Sequence, residues 1–247
     1  MRLSIIIPTL NEARYLPIAV AQARHQAILA PRHEIIVADC GSVDGTAELA
    51  TRLGTHLVQK RPALSSRAAA LNRGAAEAIG DVFLFLDADT LVPKGYDRSI
   101  QQVLADPRVV GGAFEFALDG TQLALRLVEI LNRIRYRIWP LYFGDQGLFV
   151  RASAFRSVGG YREQRLLEAS EFCKRLRRWG KLVLLRKYMK TSARRFVEGG
   201  VYRVLANDVW IWWLDLLGRP TEPFGQAYLN NNRRRGLLPA VITPPIG

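Results

Sequence analysis

The stretch that decides the fold lies at residues 3–12 and reads LSIIIPTLNE. It joins a run of β-branched residues to Pro8 and a polar segment, which predicts a buried strand that stops at a loop. The same order of apolar run and polar turn recurs at residues 34–45, EIIVADCGSVDG, and at residues 82–89, VFLFLDAD. Unbroken apolar strands are typical of a parallel sheet that helices cover on both faces.

Helical patterns fill the gaps between these strands, and residues 57–58 add a short strand. The three predicted helices run from an N-cap at Asn11 to about His25, from residue 46 to about Leu53, and from Ser65 or Ser66 to near Gly80. This alternation of strands and helices predicts an α/β fold with a Rossmann-like, mostly parallel sheet and right-handed crossovers.

After residue 90 the pattern changes. Residues 112–118 alternate in the manner of a strand with one face exposed, and residues 123–139 have the period of an amphipathic helix. On that helix Arg126, Arg133 and Arg137 lie opposite the apolar positions and predict a basic face. Residues 201–217 predict a C-terminal helix that is apolar over most of its circumference.

Composition restricts the class of protein. The 247 residues carry 35 Lys and Arg against 22 Asp and Glu, a net charge of +13, which favours anionic partners such as nucleotides, phosphorylated substrates or acidic lipids. Nucleic acid is not expected, because no aromatic and basic recognition module is visible. Two cysteines and three scattered histidines argue against a disulfide framework and against a thiolate or histidine-rich metal site.

Charged residues interrupt every apolar stretch of the length that a membrane span needs, about 20 residues. We therefore expect no transmembrane helix. The expected location is the cytoplasm, either in solution or peripheral at the inner face of the membrane.

Polar clusters follow the three main strands. They contain Pro8, Thr9 and Glu12 after the first strand, Asp39 and Ser42 after the second, and Asp87, Ala88 and Asp89 after the third. Ligands of open parallel sheets bind beyond the carboxyl ends of the strands, so the three clusters should meet at one edge. The sequence therefore predicts a single site at that edge of the sheet.

Asp87 and Asp89 are the candidates for a metal site, although such pairs are also common in turns and caps. Two carboxylates so close together repel each other unless a cation lies between them. Oxygen ligands suit Mg²⁺ or Mn²⁺, which complete their shells with phosphate and water. A cation here would neutralise a diphosphate as it departs.

The other candidates each have a structural alternative. Asp39 could accept a hydrogen bond from a base or a ribose hydroxyl, and Arg67 and Asn72 could reach a nucleotide from the third helix. Asp44 could instead cap the helix that follows it, and Arg67 and Asn72 could be a solvated arginine and a helix-end asparagine. Because no G-x-G-x-x-G turn and no Walker loop follow a strand, dinucleotide oxidoreductases and NTPases of those types lose support.

These segments resemble glycosyltransferase family 2. The similarity is carried by SIIIPTLNE at residues 4–12, VADCGSVDGT at 37–46 and FLDAD at 85–89, and it extends more loosely through GDQG at 144–147 and VGGY at 158–161. The run TSARRF at residues 191–196, with Gly199 and Gly200, is similar to one bacterial subgroup that has been linked to modified-sugar metabolite pathways. The resemblance implies a GT-A fold and an inverting, metal-dependent transfer of a sugar from a nucleotide-diphosphate sugar.

The resemblance also implies roles for individual residues. The nucleoside would contact Pro8, Thr9, Glu12, Asp39, Arg67 and Asp87. Asp89 would bind the metal and the diphosphate, Gly144 and Asp145 would lie beside the donor sugar, and Ser42, Asn72 and Ala88 would complete the donor site. The expected donor is a UDP-sugar, and the expected acceptor is a small metabolite or a lipid-linked saccharide.

One position departs from the family pattern. The family has a Glu-Asp pair at the start of a late helix, and its Asp takes the proton of the acceptor hydroxyl; here the pair is Glu168 and Ala169. Such a base is worth about 10²–10⁴-fold in rate. Either Glu168, Glu171 or Asp145 replaces it, or the chain is a non-catalytic nucleotide-sugar-binding or interaction protein. Glu168 and Glu171 could equally be favourable charges in a first helical turn.

The net charge of +13 exceeds what one diphosphate requires. The basic face of residues 123–139, the tryptophans at 210, 212 and 213 and the run Arg233–Arg235 together predict contact with an anionic membrane surface. The alternative is that residues 201–217 form a core or dimer helix and that the arginines are a solvated surface. A homo-oligomer therefore stays open.

No linker or internal repeat divides the chain. We predict a GT-A domain at residues 1–200, with a nucleotide-binding half at 1–90 and an acceptor half at 91–200. Residues 201–247 are expected to add a C-terminal helix and a basic tail that pack on the same domain.

Overall fold

A central strand organises the first half of the sheet. The computed structural model describes residues 1–29, 33–59, 66–164, 166–219, 221 and 224. In it, β1 (Leu3–Thr9) pairs in parallel with β2 (Glu34–Asp39) on one side and with β4 (Val82–Phe85) on the other. Next to β2, β3 (His56–Gln59) continues the parallel order. The predicted parallel sheet of the first 90 residues is confirmed.

Both faces of this sheet are covered, as the unbroken apolar strands predicted. Successive side chains of a strand point to opposite faces. Ile5 and Ile7 of β1 therefore pack into one hydrophobic cluster, whereas Ile6 packs into another cluster on the opposite face.

The three helices of this half are α1 (Leu16–His25), α2 (Thr46–Arg52) and α3 (Arg67–Glu77). The predicted start of α1 at Asn11 is wrong. Asn11 has a φ of 57°, its N–H donates to Ser42 Oγ at 2.8 Å, and its side-chain oxygen accepts from the Val43 N–H at 2.9 Å. The loop after β1 is thereby tied to the loop after β2, which delays the helix.

The helix α3 begins where one of the two predicted serines caps it. Ser66 Oγ accepts a hydrogen bond from the Ala69 N–H at 3.1 Å, the geometry of an N-cap. Ser65 lies outside the described residues.

The second half of the sheet is mixed. Among the described residues the strand order is β3-β2-β1-β4-β7-β6-β8-β5. The additional strands are β5 (Thr90–Leu91), β6 (Val109–Asp119), β7 (Leu148–Arg151) and β8 (Lys181–Ser192). Because β7 runs antiparallel to β4 and β8 runs antiparallel to β5, the segments before β7 and after β8 arrive beside residues 87–90.

The strand β6 is longer and more buried than predicted. Residues 109–116 are all buried, so the expectation of a half-exposed strand is wrong. The reason is that β6 lies inside the sheet, between β7 and β8, with side chains in the clusters on both faces. Its one acidic side chain in that stretch, Glu115, is buried in ion pairs with Arg133 and Arg137.

The remaining helices follow in chain order. They are α4 (Tyr96–Val103), α5 (Leu123–Ile138), α6 (Ala152–Val158), α7 (Glu168–Leu176), α8 (Arg194–Gly199) and α9 (Val201–Leu216). In α9, Val204 belongs to the larger core cluster and Ile211 packs against Phe224. Arg233–Arg235 lie outside the described residues.

The orientation of α5 reverses the prediction. Its arginines contact the protein: Arg137 and Arg133 pair with the buried Glu115, and Arg126 pairs with the buried Glu129 at 2.7 Å. The predicted apolar stripe at positions 123, 127, 130, 131, 134 and 138 is exposed instead, and Leu125, Val128 and Tyr136 fill the core. A basic outer face on this helix is therefore wrong, because the two buried carboxylates require cations beside them.

Candidate functional site

The ends of β1 and β2 meet as predicted. Thr9 and Asp39 are register partners, and the Thr9 hydroxyl donates to Asp39 at 3.0 Å. The Asp39 carboxylate also accepts from the N–H groups of Gly41 and Ser42, from the Ser42 hydroxyl and from the Gln59 amide. Burial would raise the pKa of Asp39, but these hydrogen bonds outweigh burial and hold it below the ordinary value.

Asp39 thus shapes the turn that follows β2, and its side chain is only 1% exposed. A nucleoside contact at Asp39 stays a prediction, and it would have to replace one of these donors. Pro8 is buried beside it in β1. Asp44 accepts from the N–H groups of Ala13 and Thr46 and so ties the loop after β1 to the start of α2, but the N-cap of that helix is Gly45.

A first arginine bridges two carboxylates. Arg67, the first residue of α3, contacts Asp87 Oδ1 through Nη2 at 2.5 Å and Glu168 Oε1 through Nη1 at 2.5 Å. Asp87 follows β4, and Glu168 opens α7 after Leu167, whose φ is 58°. Carboxylates from two separate segments therefore converge on the guanidinium group at the start of α3.

The segment before β7 lies against the same guanidinium. Residues 144–146 form a single 3₁₀ turn, and a side chain at Gly144 would collide with Arg67. Asp145, the next residue, accepts no hydrogen bond from the described part of the chain. Burial, with the negative charge of Asp87 in addition, raises the pKa of Asp145 to about 6.

A second arginine, which the sequence did not single out as a site residue, bridges the other two acids. Arg194 contacts Glu12 at 2.6 Å and Asp89 at 3.1 Å, and it lies over the Tyr15 ring at 4.4 Å. Ala88 is buried beside Asp89. Burial raises the pKa of both Glu12 and Asp89 despite the cation. The only local signal for Arg194 was its place in the TSARRF run, because it pairs with Glu12 across 182 residues.

Two further arginines lie near Asp145. Arg135 of α5 and Arg195 of α8 both lower the pKa of Asp145, and Arg195 pairs with Asp208 of α9. Burial lowers the pKa of Arg135 to about 10, and its guanidinium lies 3.7 Å from the centre of the Phe143 ring. The helices of the C-terminal half therefore form the side of the site beyond Asp145.

Two predicted residues make their contacts elsewhere. The side-chain amide of Asn72 donates to the Tyr161 carbonyl and accepts from the Tyr161 N–H, each at 2.8 Å, so it fixes that loop. Glu171 is held by Arg175 at 2.7 Å and by Arg162 at 3.3 Å. Among the described residues, neither side chain forms a hydrogen bond or ion pair with Asp87, Asp89 or Asp145. The donor contact of Asn72 and the role of Glu171 as a base stay predictions.

The carboxylate oxygens of the site suit a divalent cation that a bound nucleotide would also ligate. No group of three or more His, Cys, Asp or Glu side chains with metal-site geometry occurs in the described residues, so the protein alone does not build a closed metal cage. The cluster nevertheless has six carboxylates (Glu12, Asp87, Asp89, Asp145, Glu168, Asp208) and four guanidinium groups (Arg67, Arg135, Arg194, Arg195), an excess of 6 − 4 = 2 negative charges. Asp87 and Asp89 fit Mg²⁺ or Mn²⁺ completed by phosphate oxygens and water.

A separate depression of about 630 Å³ lies at the opposite end of β4, lined by residues that include Met1, Asp81, Val82 and Arg151. It is remote from the carboxyl ends of the strands, where open α/β sheets bind their ligands. We therefore place the candidate site at the carboxylate cluster.

The fold of the chain and the position of this carboxylate cluster define the class of protein. The Pyrobaculum calidifontis mannosyltransferase PcManGT, solved with GDP-Man and Mn²⁺, superimposes with a TM-score of 0.68 at 18% identity, over 97% of this chain and 77% of that one. Residues 1–349 of S. aureus TarS, solved with UDP-GlcNAc, superimpose with a TM-score of 0.60 at 16% identity, over 78% and 58%. The chain has the GT-A fold, a mixed α/β architecture with a mostly parallel sheet.

The family follows from the sequence. The profile described as Glycosyl transferase family 2 matches residues 4–159, and the chain belongs to that family. The succinoglycan biosynthesis protein ExoA of Rhizobium meliloti is 31% identical over 176 residues, which cover 64% of this chain and 52% of ExoA. The curated relatives are thus longer proteins, of which this chain spans about a third to a half.

Proposed function

We propose that the chain transfers a sugar from a nucleotide-diphosphate sugar, with a UDP-sugar as the first donor class to test, to a hydroxyl acceptor with inversion at the anomeric carbon. The observation that carries this proposal is the meeting of Asp87, Asp89, Asp145 and Glu168 around Arg67 and Arg194. The family of the chain and the donor nucleotides in the two solved neighbours support it. Whether the acceptor is a small metabolite or a lipid-linked saccharide stays open.

The donor side of the reaction needs positive charge. Asp89, with Asp87, would hold Mn²⁺ or Mg²⁺, which when bound neutralises charge on the leaving diphosphate. Arg194 already lies at Asp89, so its guanidinium is placed to donate to a diphosphate oxygen. Arg67 keeps Asp87 and Glu168 in position and lies against Gly144, where the donor sugar is expected.

Among the three candidate bases, the contacts favour Asp145. Glu168 is paired with Arg67, and Glu171 is paired with Arg175 and Arg162. Asp145 accepts no hydrogen bond from the described residues, and its pKa of about 6 makes it a stronger base than an ordinary aspartate. A general base works best when its pKa lies near the operating pH.

The proposed step is a single displacement. The acceptor hydroxyl attacks the anomeric carbon of the donor sugar while its proton passes to the Asp145 carboxylate. The bond between the anomeric carbon and the phosphate oxygen breaks, and its electron pair leaves with the nucleoside diphosphate. Attack from the face opposite the leaving group inverts the configuration of that carbon.

The test is turnover of UDP-, GDP- and dTDP-sugars with Mn²⁺ and a panel of hydroxyl acceptors, by wild type and by Asp145→Asn. The asparagine keeps the size of the side chain but cannot take the proton, so we expect kcat to fall by roughly 10²–10⁴-fold. Binding of UDP by calorimetry should change little. The matched control is Glu171→Gln, which should keep its turnover.

Two outcomes would contradict the proposal. Full turnover by Asp145→Asn, with loss in Glu168→Gln, would assign the base to Glu168. Nucleotide-sugar binding without turnover across the panel would favour the non-catalytic binding protein, in keeping with the buried Ala169 at the usual base position.

A further inference from the structure

The outer face of α5 is a continuous apolar stripe. Its side chains are between 40% and 87% exposed and follow the spacing i, i+4, i+7, i+8, i+11 and i+15. The stripe consists of Leu123, Leu127, Ile130, Leu131, Ile134 and Ile138. Amphipathic helices of soluble proteins usually turn such a face toward the core, so its exposure here requires an explanation.

The inner contacts of α5 prevent the helix from turning this stripe inward. Glu129 is buried and accepts the Leu118 N–H at 2.7 Å, and it also pairs with Arg126. Glu115 of β6 is 2% exposed and pairs with Arg137 at 2.7 Å. Rotation of α5 would carry Arg133 and Arg137 away from the buried Glu115, which is strongly unfavourable. It would also withdraw Leu125, Val128 and Tyr136 of α5 from the core.

The neighbouring helix α9 repeats the pattern. Its exposed apolar positions, with Leu217 directly after the helix, have the same spacing as those of α5. They are Tyr202, Ala206, Val209, Trp210, Trp213 and Leu217. The two helices are in contact, since the Trp139 ring after α5 packs edge-on against Trp212 of α9 at 5.2 Å. Two adjacent helices thus each present an apolar stripe, which we call the α5/α9 surface.

We propose that the α5/α9 surface docks on an anionic lipid bilayer, with its stripes in the boundary between head groups and acyl chains. Helices that lie in this boundary combine Leu, Ile and Trp on one face with basic residues beside them. Exposed arginines are present on α9 at Arg203 and just after it at Arg219. No helix in the described residues is long and apolar enough to cross the bilayer, so the contact is a surface one.

Charge distinguishes the bilayer from a second copy of the chain. Each copy carries a net charge of +13, so two copies repel each other, whereas an anionic bilayer attracts the protein. Each basic residue near such a surface adds to the attraction. The same helices also supply Arg135 and Asp208 to the cluster around Asp145, so docking holds the candidate site close to the lipid head groups.

The first test is flotation of the full chain with phosphatidylcholine vesicles, with and without phosphatidylglycerol. We expect the protein to float with the anionic vesicles at low salt. The variant Ile130→Ser/Ile134→Ser/Trp213→Ser should partition roughly tenfold or more weakly, because three apolar side chains leave the lipid contact. The matched control is Ile18→Ser/Ile79→Ser/Trp179→Ser, whose side chains are 53–58% exposed elsewhere against 50–51% in the stripe variant; it should float like wild type.

A second measurement does not depend on the folding of the triple variant. Of the five tryptophans, four belong to α9 or to the residue that follows α5, and Trp179 lies apart. In Trp179→Phe, lipids with brominated acyl chains should quench the remaining fluorescence. Both tests read lipid binding alone, so neither depends on the proposed transferase activity.

Three results would overturn the docking proposal. They are absence of flotation with anionic vesicles, equal flotation of the stripe and control variants, and unquenched fluorescence in a vesicle-bound protein. A doubled mass in light scattering that the stripe variant loses, without vesicle binding, would assign the surface to a second copy instead.

Discussion

At the scale of single residues, the site depends on two arginines that each hold two acids. Arg67 bridges Asp87 and Glu168, and Arg194 bridges Glu12 and Asp89. A carboxylate pair that is brought together by folding repels, and a shared guanidinium offsets that repulsion. In the proposed reaction the same groups bind the diphosphate and its cation.

Arg194 gives the clearest prediction at this scale. Replacing it by Gln removes one charge-assisted hydrogen bond to the diphosphate, so the affinity for UDP in the presence of Mn²⁺ should fall roughly tenfold or more. Calorimetry measures this affinity directly. Arg194→Lys should recover part of this affinity, since lysine restores the positive charge but not the planar guanidinium group with its paired N–H donors.

The control for this prediction is Arg186→Gln, because Arg186 is an exposed arginine on the same strand-to-helix segment, in β8. Its UDP affinity should equal that of wild type. An unchanged affinity in Arg194→Gln would show that Arg194 has no part in donor binding.

At the scale of elements, α5 shows that buried ion pairs can decide which face of a helix points inward. The hydrophobic stripe alone predicts the opposite orientation. The buried Glu115 of β6 reverses it, since its partners are Arg133 and Arg137 of α5. Glu129 of α5 adds to this, since it is buried and accepts the Leu118 N–H of β6. The six apolar side chains of the stripe consequently stay exposed, and the protein forgoes the hydrophobic free energy that their burial would contribute.

The substitution Glu115→Gln tests this explanation. It leaves Arg133 and Arg137 without their shared carboxylate, and we expect the free energy of unfolding to fall by about 1–3 kcal/mol. Urea unfolding followed by circular dichroism measures the change. Arg108→Gln, which disrupts the exposed pair with Asp106, should leave stability unchanged. Equal stability of Glu115→Gln and wild type would mean that α5 is oriented by other contacts.

At the scale of the whole molecule, charge is distributed unevenly. The chain has a net charge of +13, yet the candidate site has an excess of acids. Burial raises the pKa of Glu12, Asp89, Asp145 and Asp208 above their ordinary values. Such a carboxyl group binds its proton more tightly in the folded protein than in the unfolded chain. Protonation therefore stabilises the fold at low pH. This stabilisation is lost as the pH rises through the folded pKa, which is near 6 for Asp145.

This cluster predicts a pH-dependent effect of the cation. Mn²⁺ with UDP should raise the Tm more at about pH 7.5 than at about pH 5, because protons compete with the cation for the carboxylates. At a ligand concentration about a hundredfold above Kd, the stabilisation should reach about 2.7 kcal/mol. Differential scanning fluorimetry gives the Tm values.

Asp89→Asn should abolish most of this shift, whereas Asp106→Asn, at a partly exposed acid that pairs with Arg108 outside the site, should keep it. A shift of equal size at both pH values would show that the cation does not bind at these carboxylates.

The sequence by itself determined the first four strands, the helices between them apart from the start of α1, and the edge at which those strands end, because hydrophobic period and turn residues are local signals. It therefore placed Asp39, Asp87 and Asp89 at one edge before any tertiary contact was known. Tertiary structure alone decided that α5 faces outward with its apolar side and that Arg194 meets Glu12 and Asp89. A periodic pattern defines two faces without stating which is buried, and a contact across 182 residues leaves no local trace.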